Sequence, residues 1–267
     1  MFKVIEVTNL NKEFVSIGIE ARDLVKKIRP GQFISIITKD TNERIPLRLA
    51  DWDADNGEIN IIFRRTDYTA KNLERINEGD AISELFGPLG QMSKIEKLGE
   101  VYFIADDNGL TGSYPILKAL KAHGNRIISI IETQDKPRCL LEDKIREVSS
   151  ELLITDKAIN TLKDLFQVIE KSTHTQYPKL IYCMGSIPMM KEVAEFSAEN
   201  QIKTILSLDP VLVDTTGICG TCSCKTTENK VFKYSDGPDF DATDLDLNEL
   251  AGHFEFLKHK RLKDTLN

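Results

Sequence analysis

From residue 98 to residue 210 the sequence alternates short apolar strands with helical runs. That rhythm narrows the possible folds more than any other feature of the chain. VYFIAD, RIISIIET, ELLITD, KLIYCMG and KTILSL read as strands, rich in Ile, Leu and aromatic residues. Between them, YPILKALKAHG, CLLEDKIREVS, TLKDLFQVIEKS and PMMKEVAEFSAEN repeat apolar residues every three or four positions, as a helix with one buried face does. Strands and helices in strict alternation, joined by short loops, predict a parallel sheet covered on both faces. Ligands of such sheets bind at the carboxyl ends of the strands.

Residues 1–97 follow a different rule. VIEVTNL, EFVSIGIEA, QFISIITK and EINIIFRR alternate or carry β-branched residues, with turn signals at Arg29-Pro30-Gly31, Asp40 to Asn42 and Asn56-Gly57. TAKNLERI reads as a short helix, and GPLG closes the section. Short strands with this punctuation predict a small antiparallel barrel over 1–97, followed by the α/β domain over 98–210. A third section, 211–267, holds a cysteine-rich loop, a hairpin in CKTTENKVFKY and an acidic stretch, DGPDFDATD, read as a solvated loop facing a partner. Its last part, LNELAGHFEFLKHKRLK, reads as a helix whose Leu247, Leu250, Phe254 and Leu257 pack on the body of the protein.

The chain has five cysteines, and three of them, Cys219, Cys222 and Cys224, fall within DTTGICGTCSC. An odd count and a beginning that alternates like a strand, not like a signal peptide, point to reduced thiols and a soluble cytoplasmic protein. Three thiols within six residues, with Gly217 and Gly220 allowing a tight loop, suit a soft metal or an iron–sulfur centre. Zinc is the second choice, because His123, His174, His253 and His259 are scattered. Cys183, inside LIYCM, reads as a small buried hydrophobe. A net charge of −7 argues against a nucleic-acid partner, and no apolar run approaches the ~20 residues that cross a bilayer. The Asp residues from 236 to 246 do not fit the Gly and Glu spacing of a calcium-binding helix–loop–helix.

Seven segments, taken in order, carry a resemblance: RPGQF (29–33), ERIPL (43–47) with LADWD (49–53), FGPLG (86–90), GSIPMM (185–190), DTTGICGTC (214–222) and DGPDFDA (236–242). In this order the set resembles the small subunit of NADH-dependent ferredoxin:NADP oxidoreductases, also called sulfide dehydrogenase beta subunits. These are relatives of the dihydroorotate dehydrogenase electron-transfer subunit. The resemblance implies a ferredoxin–NADP-reductase-like fold: an antiparallel FAD-type barrel, a parallel-sheet nucleotide-type domain and a C-terminal [2Fe–2S] lobe. It implies an oxidoreductase subunit that passes electrons through FAD and the cluster to a larger flavoprotein or iron–sulfur subunit, with no catalytic side chain of its own. The flavin residues it implies are Arg44, Pro46, Leu47, Arg48 and Thr69, and the nucleotide residues are Gly109 and Gly185. The cluster ligands are Asp214, Cys219 and Cys222. An Asp at the position of Asp214 goes with the ferredoxin:NADP branch, whereas dihydroorotate-linked members carry Cys there.

The departures from the family pattern fall on its chemistry. Arg48 replaces a hydroxyl residue in the first flavin motif; its guanidinium is a different phosphate grip. Asp67-Tyr68-Thr69-Ala70 stands where the family has G-K-T-T, adding bulk and negative charge at a phosphate. The glycine-rich turn of the nucleotide domain is replaced by Ala105-Asp106-Asp107-Asn108-Gly109-Leu110-Thr111. A carboxylate ~4 Å from a phosphate costs roughly 4 kcal/mol at an effective dielectric near 20, about three decades of affinity. The family's adenosine-side T-D-D-G-S is also missing after Thr155-Asp156. Loss of NAD(P)H binding is therefore expected. The fourth cluster position is Tyr234, and Cys224 is expected to supply the thiolate instead. A hairpin turning at Asn229 would set Cys224 opposite Tyr234, with Cβ atoms roughly 5 Å apart. Met189, Met190 and Trp52 are expected to pack in cores. Two readings stand side by side: an electron-transfer subunit, and a non-catalytic structural or regulatory subunit that keeps only its docking surface.

Overall fold

The computed structural model describes residues 1–38, 44–65, 73–136, 139–171, 178–209 and 236–252, with the backbone alone at 224–225 and 231–232. Two antiparallel sheets build the first part. In one, β1 (Phe2–Asn9) pairs with β2 (Phe14–Glu20), and β2 with β6 (Glu58–Arg64). The short strands β5 (Asp51–Asp53) and β7 (Ala81–Ile82) form its edges. In the other, β3 (Phe33–Ile37) lies between β4 (Ile45–Arg48) and β8 (Glu84–Leu89). Residues alternate across a strand, so Ile34 and Ile36 on β3 and Ile45 and Leu47 on β4 share one interior with Ile17, Ile19, Ile59 and Ile61. Helix α1 (Arg22–Val25) and the partly buried Trp52 pack against the same core. The opposite face of β3 and β4 carries Phe33, Ser35, Pro46 and Arg48, and it is this face that meets the rest of the molecule.

The second part is a six-stranded sheet. Five strands are parallel: β9 (Glu100–Asp106), β10 (Arg126–Glu132), β11 (Glu151–Thr155), β12 (Leu180–Met184) and β13 (Thr204–Ser207), in the order β11-β10-β9-β12-β13. Short helix α2 (Asp107–Leu110) follows β9. Helices α3 (Tyr114–Ala122) and α4 (Glu142–Val148) cover one face, with Ile116, Leu117, Leu120, Ile145 and Val148 packed on Val101, Phe103 and Tyr182. Helices α5 (Ala158–Glu170) and α6 (Ile187–Glu199) cover the other, where Phe166 meets Phe196 edge-on with ring centroids 4.9 Å apart. Met189, Met190 and Cys183 are fully buried on that side. Phe14, Ala50 and Ile62 of the barrel join the α3/α4 core, so the two parts share an apolar seam.

The acidic stretch corrects the sequence reading. Instead of a solvated loop, Asp239–Asp241 forms β16, antiparallel to β13 at the sheet edge, followed by a 3₁₀ turn over Ala242–Asp244. Phe240 is buried in the α5/α6 core, which is why the strand docks there despite the carboxylates on either side. Leu250, in the helical residues 247–252, joins the same core; Phe254 and Leu257 lie outside the described residues. A second correction concerns the hairpin. Strands β14 (Cys224–Lys225) and β15 (Val231–Phe232) pair Cys224 with Phe232 and Lys225 with Val231. The connection therefore takes residues 226–230 and is centred on 228, so Cys224 faces Phe232 and the expected Cys224–Tyr234 pair is not formed.

Candidate functional site

Two surfaces bear on function, and the first is the carboxyl edge of the parallel sheet. The order of strand addition reverses there, between the parallel neighbours β9 and β12, at the crevice in which such sheets bind ligands. Asp106 ends β9 in an extended conformation and caps α2, its Oδ1 accepting from the Gly109 N–H at 3.0 Å. Its Oδ2 accepts from the Ser186 N–H at 2.8 Å, at the start of α6. One carboxylate thus takes donors from two helix starts, the groups that a phosphate would otherwise receive. Both candidate glycines belong to this arrangement. A Cβ on Gly109 would sit 2.1 Å from the Met184 carbonyl oxygen, and one on Gly185 would sit 2.5 Å from Asp106 Oδ1. Gly109 and Gly185 therefore let the backbone close around a carboxylate that the chain itself supplies.

Neighbouring groups repeat the pattern. Asp107 Oδ2 accepts from the Thr133 hydroxyl at 3.0 Å, and burial raises the Asp107 pKa above the ordinary carboxylate value, against the lowering effect of that bond. Glu132, at the end of β10, accepts from the Ala158 N–H at 2.8 Å and so caps α5. The sequence reading missed Glu132; the signal was an acidic residue closing a strand two positions before a turn. Only Asp156 and Lys157 separate β11 from α5, and Lys157 is paired with Glu192 at 2.6 Å. Cys139 nearby is a thiol whose pKa burial pushes up to about 12, with the Asp107 charge adding to the effect.

The second surface is the outer face of β3, β4 and β8. Arg44 is exposed, with its guanidinium carbon 4.5 Å from the centre of the Phe86 ring, a cation–π contact. Pro46 is buried opposite Ser35 in the β3–β4 register, and Ser35 also pairs with Phe86 of β8. Ser35 Oγ is buried and lacks a hydrogen-bond partner among the described residues, an orphan that an oxygen-bearing ligand on this face would complete. Nothing in the motif spacing pointed to Ser35. Leu47 turns the other way, into the barrel core, so its expected role at a ligand is corrected to packing. Thr69 lies outside the described residues.

Arg48 also departs from expectation. Its buried guanidinium donates to Ser207 Oγ at 3.1 Å, to the Ser207 carbonyl at 3.0 Å and to the Leu208 carbonyl at 2.5 Å. Held this way, it joins the barrel to β13, with its donors spent on Ser207 and Leu208. Gly112 makes room for it, since a Cβ there would meet Arg48 Cδ at 2.5 Å. Ser207 Oγ donates in turn to Asp239 Oδ1 at 2.6 Å, and the Tyr182 hydroxyl donates to Asp239 Oδ2. Ser93 Oγ lies 3.2 Å from the Tyr182 oxygen and completes the chain as donor. Burial, then the Asp239 charge, holds the Tyr182 phenol well above its ordinary value, so it stays protonated.

Of the cluster candidates, Asp214, Cys219 and Cys222 lie outside the described residues, and Cys224 is described by its backbone alone. Among the described residues no three His, Cys, Asp or Glu side chains converge as metal ligands, and no helix is long and apolar enough to cross a membrane.

No protein-family profile matches the chain. Individual relatives do. It is 30% identical over 249 residues to the dihydroorotate dehydrogenase B (NAD(+)) electron transfer subunit homolog of Thermotoga maritima, covering 93% of this chain and 88% of that one. It is 32% identical over 253 residues to an uncharacterized protein in the adh 3′ region of Clostridium beijerinckii, covering 90% and 85%. Among solved structures it superposes on a chain of NADH-dependent reduced ferredoxin-NADP oxidoreductase with a TM-score of 0.85 and 27% identity, covering 100% of this chain and 98% of that one. With its barrel, parallel sheet and motif order, the chain belongs to the family of dihydroorotate dehydrogenase B electron transfer subunits and their homologues.

Proposed function

We propose that this chain is the electron-transfer subunit of a flavin- and iron–sulfur-dependent oxidoreductase, working beside a larger flavoprotein or iron–sulfur subunit. The observation that carries the reading is the end-to-end likeness to a chain of NADH-dependent ferredoxin-NADP oxidoreductase, which spans the full length of both. Within that reading each section has a separate task. The outer face of β3, β4 and β8 fits FAD, with Arg44 as the pyrophosphate partner, Pro46 shaping the floor and Ser35 offering an unpaired hydroxyl. Arg48, tied to β13, is left out of the flavin set. The donor chemistry of Asp214, Cys219, Cys222 and Cys224, three thiols and one carboxylate, suits a [2Fe–2S] cluster. Bound there, the two groups would supply one-electron transfer between flavin and partner, while the protein fixes their positions and excludes water.

The nucleotide section does not fit a dinucleotide. Asp106 already fills the place of a pyrophosphate, and Asp107 and Glu132 add negative charge beside it. Electrons then enter and leave through the flavin and the partner, not through NAD(P)H held on this sheet. The same closure favours a second reading, a structural or regulatory subunit that keeps only the docking surface. Purifying the chain with its partner under anaerobic conditions, then recording its visible spectrum with flavin, iron and sulfide assays, separates the two. Flavin and iron in near-stoichiometric amounts support the relay; a colourless chain leaves the scaffold.

A further inference from the structure

The cysteine-bearing stretch leaves the parallel sheet after β13 and returns to it as β16, the antiparallel neighbour of that same strand. Its two feet meet at one place. Leu208 N–H donates to the Pro238 carbonyl at 2.9 Å, and Ser207 Oγ bonds to Asp239 at 2.6 Å. Onto this neck the barrel inserts Arg48, from the strand that also carries Pro46, with three hydrogen bonds to Ser207 and Leu208. From the other side the Tyr182 hydroxyl of β12 donates to Asp239, and Ser93 of the barrel-to-sheet linker bonds to that hydroxyl. Gln91 N–H also donates to the Gly237 carbonyl at 2.7 Å, just past β8. All the side chains from Arg48 to Ser93 in this series are buried or half-buried, and each polar atom named has a partner, so the junction has one low-energy arrangement.

We propose that Arg48 and Asp239 are positioning residues that clamp the neck of the cysteine-bearing stretch to the flavin-type face of the barrel and so set the separation between the two redox groups. The inference rests on the electron-relay reading for its consequence, but its structural content stands on the hydrogen bonds alone. It also explains the Arg at position 48. A short hydroxyl side chain could not span from β4 to the carbonyls of β13, whereas a guanidinium reaches three acceptors in one plane.

The test uses the full chain with its partner and the variants Asp239→Asn, Arg48→Gln and the milder Ser207→Ala, with Lys144→Met as control. Lys144 makes the exposed pair with Asp51 at 2.6 Å, also between the two parts of the molecule but outside the clamp. Amide exchange at Leu208 and Phe240 is expected to quicken about tenfold or more in the clamp variants, the equivalent of one lost buried hydrogen bond, while Ile104 and Ile130 at the sheet centre keep their rates. With flavin and iron content unchanged, the rate of flavin-to-cluster electron transfer is expected to fall about tenfold or more, and Asp239→Glu to restore part of it. Lys144→Met changes neither. Equal acceleration across the whole sheet, or none at Leu208, overturns the clamp. Faster exchange at the neck with an unchanged electron-transfer rate overturns its role in spacing. A wild-type chain without flavin and iron overturns the relay reading instead, and the exchange data then still decide the clamp.

Discussion

Asp106 and Ser186 lie 80 positions apart, yet the carboxylate of the first accepts the backbone N–H of the second at 2.8 Å. That bond joins the end of β9 to the start of α6 across the crevice where a bound phosphate would have to enter. The chain's own carboxylate bridges these two elements.

Replacing Asp106 by Ala removes a helix cap and orphans two N–H groups. A loss of about 1–3 kcal/mol in urea denaturation is expected, with Asp106→Asn losing less because one amide oxygen still accepts. In wild-type protein, millimolar NADH or NADPH is expected to leave the melting temperature unchanged. A ligand present at a hundred times its Kd would add about 2.7 kcal/mol, a shift that a thermal scan resolves.

Gly109→Ala and Gly185→Ala should each lower stability by about 3 kcal/mol or more. The new methyl groups meet the Met184 carbonyl oxygen and the Asp106 carboxylate well inside contact distance, and Gly185 also has φ of +148°. Gly252→Ala is the contrast. No described residue lies within 4 Å of a Cβ there, so this helical site should gain up to about 1 kcal/mol. Chemical denaturation of the three variants side by side makes the comparison.

Asp107 gives the fold a pH dependence. Burial raises its folded pKa above the unfolded value of 3.8, so between the two the native state holds a proton that the unfolded chain has released. Stability then falls as pH rises through that window, and the deficit persists at neutral pH. Asp107→Asn, which keeps an acceptor for Thr133, should stabilise the protein at pH 7, and the gain should vanish below pH 3.8. Denaturation midpoints measured at both ends of the range check the sign.

Ser35→Ala removes a buried hydroxyl that has no partner among the described residues. In flavin-free protein the change should be neutral or stabilising within about 1 kcal/mol, because an unsatisfied polar atom leaves the core. Flavin retention during dialysis should weaken. Equal flavin retention in the two proteins would remove Ser35 from the binding face.

The strands from 100 to 207 were legible because each is a short, mostly apolar run of aliphatic and aromatic residues bounded by helical periodicity. The β16 strand was not, because Asp239, Phe240 and Asp241 alternate over three residues only, and the carboxylates outweighed one Phe in the reading. Asp106 was read only as a carboxylate hostile to phosphate. Its second role, as a cap shared by two helices, depends on Ser186 being near, which no local pattern encodes. Arg48 failed for the same reason: a guanidinium beside a phosphate motif looks like a phosphate partner until its acceptors, Ser207 and Leu208, are seen about 160 positions away. The turn centred on 228 instead of 229 is a one-residue difference in a polar connection, below what propensity resolves.

Because β13 and β16 are adjacent antiparallel strands in register from Ile205–Asp241 to Ser207–Asp239, everything between them is, topologically, an excursion from a single hairpin. A short tight turn could bridge the two feet without disturbing a hydrogen bond of the six-stranded sheet. The cysteine segment therefore enters and leaves the six-stranded sheet at one edge, and a change in its length would leave the strand order of that sheet unaltered.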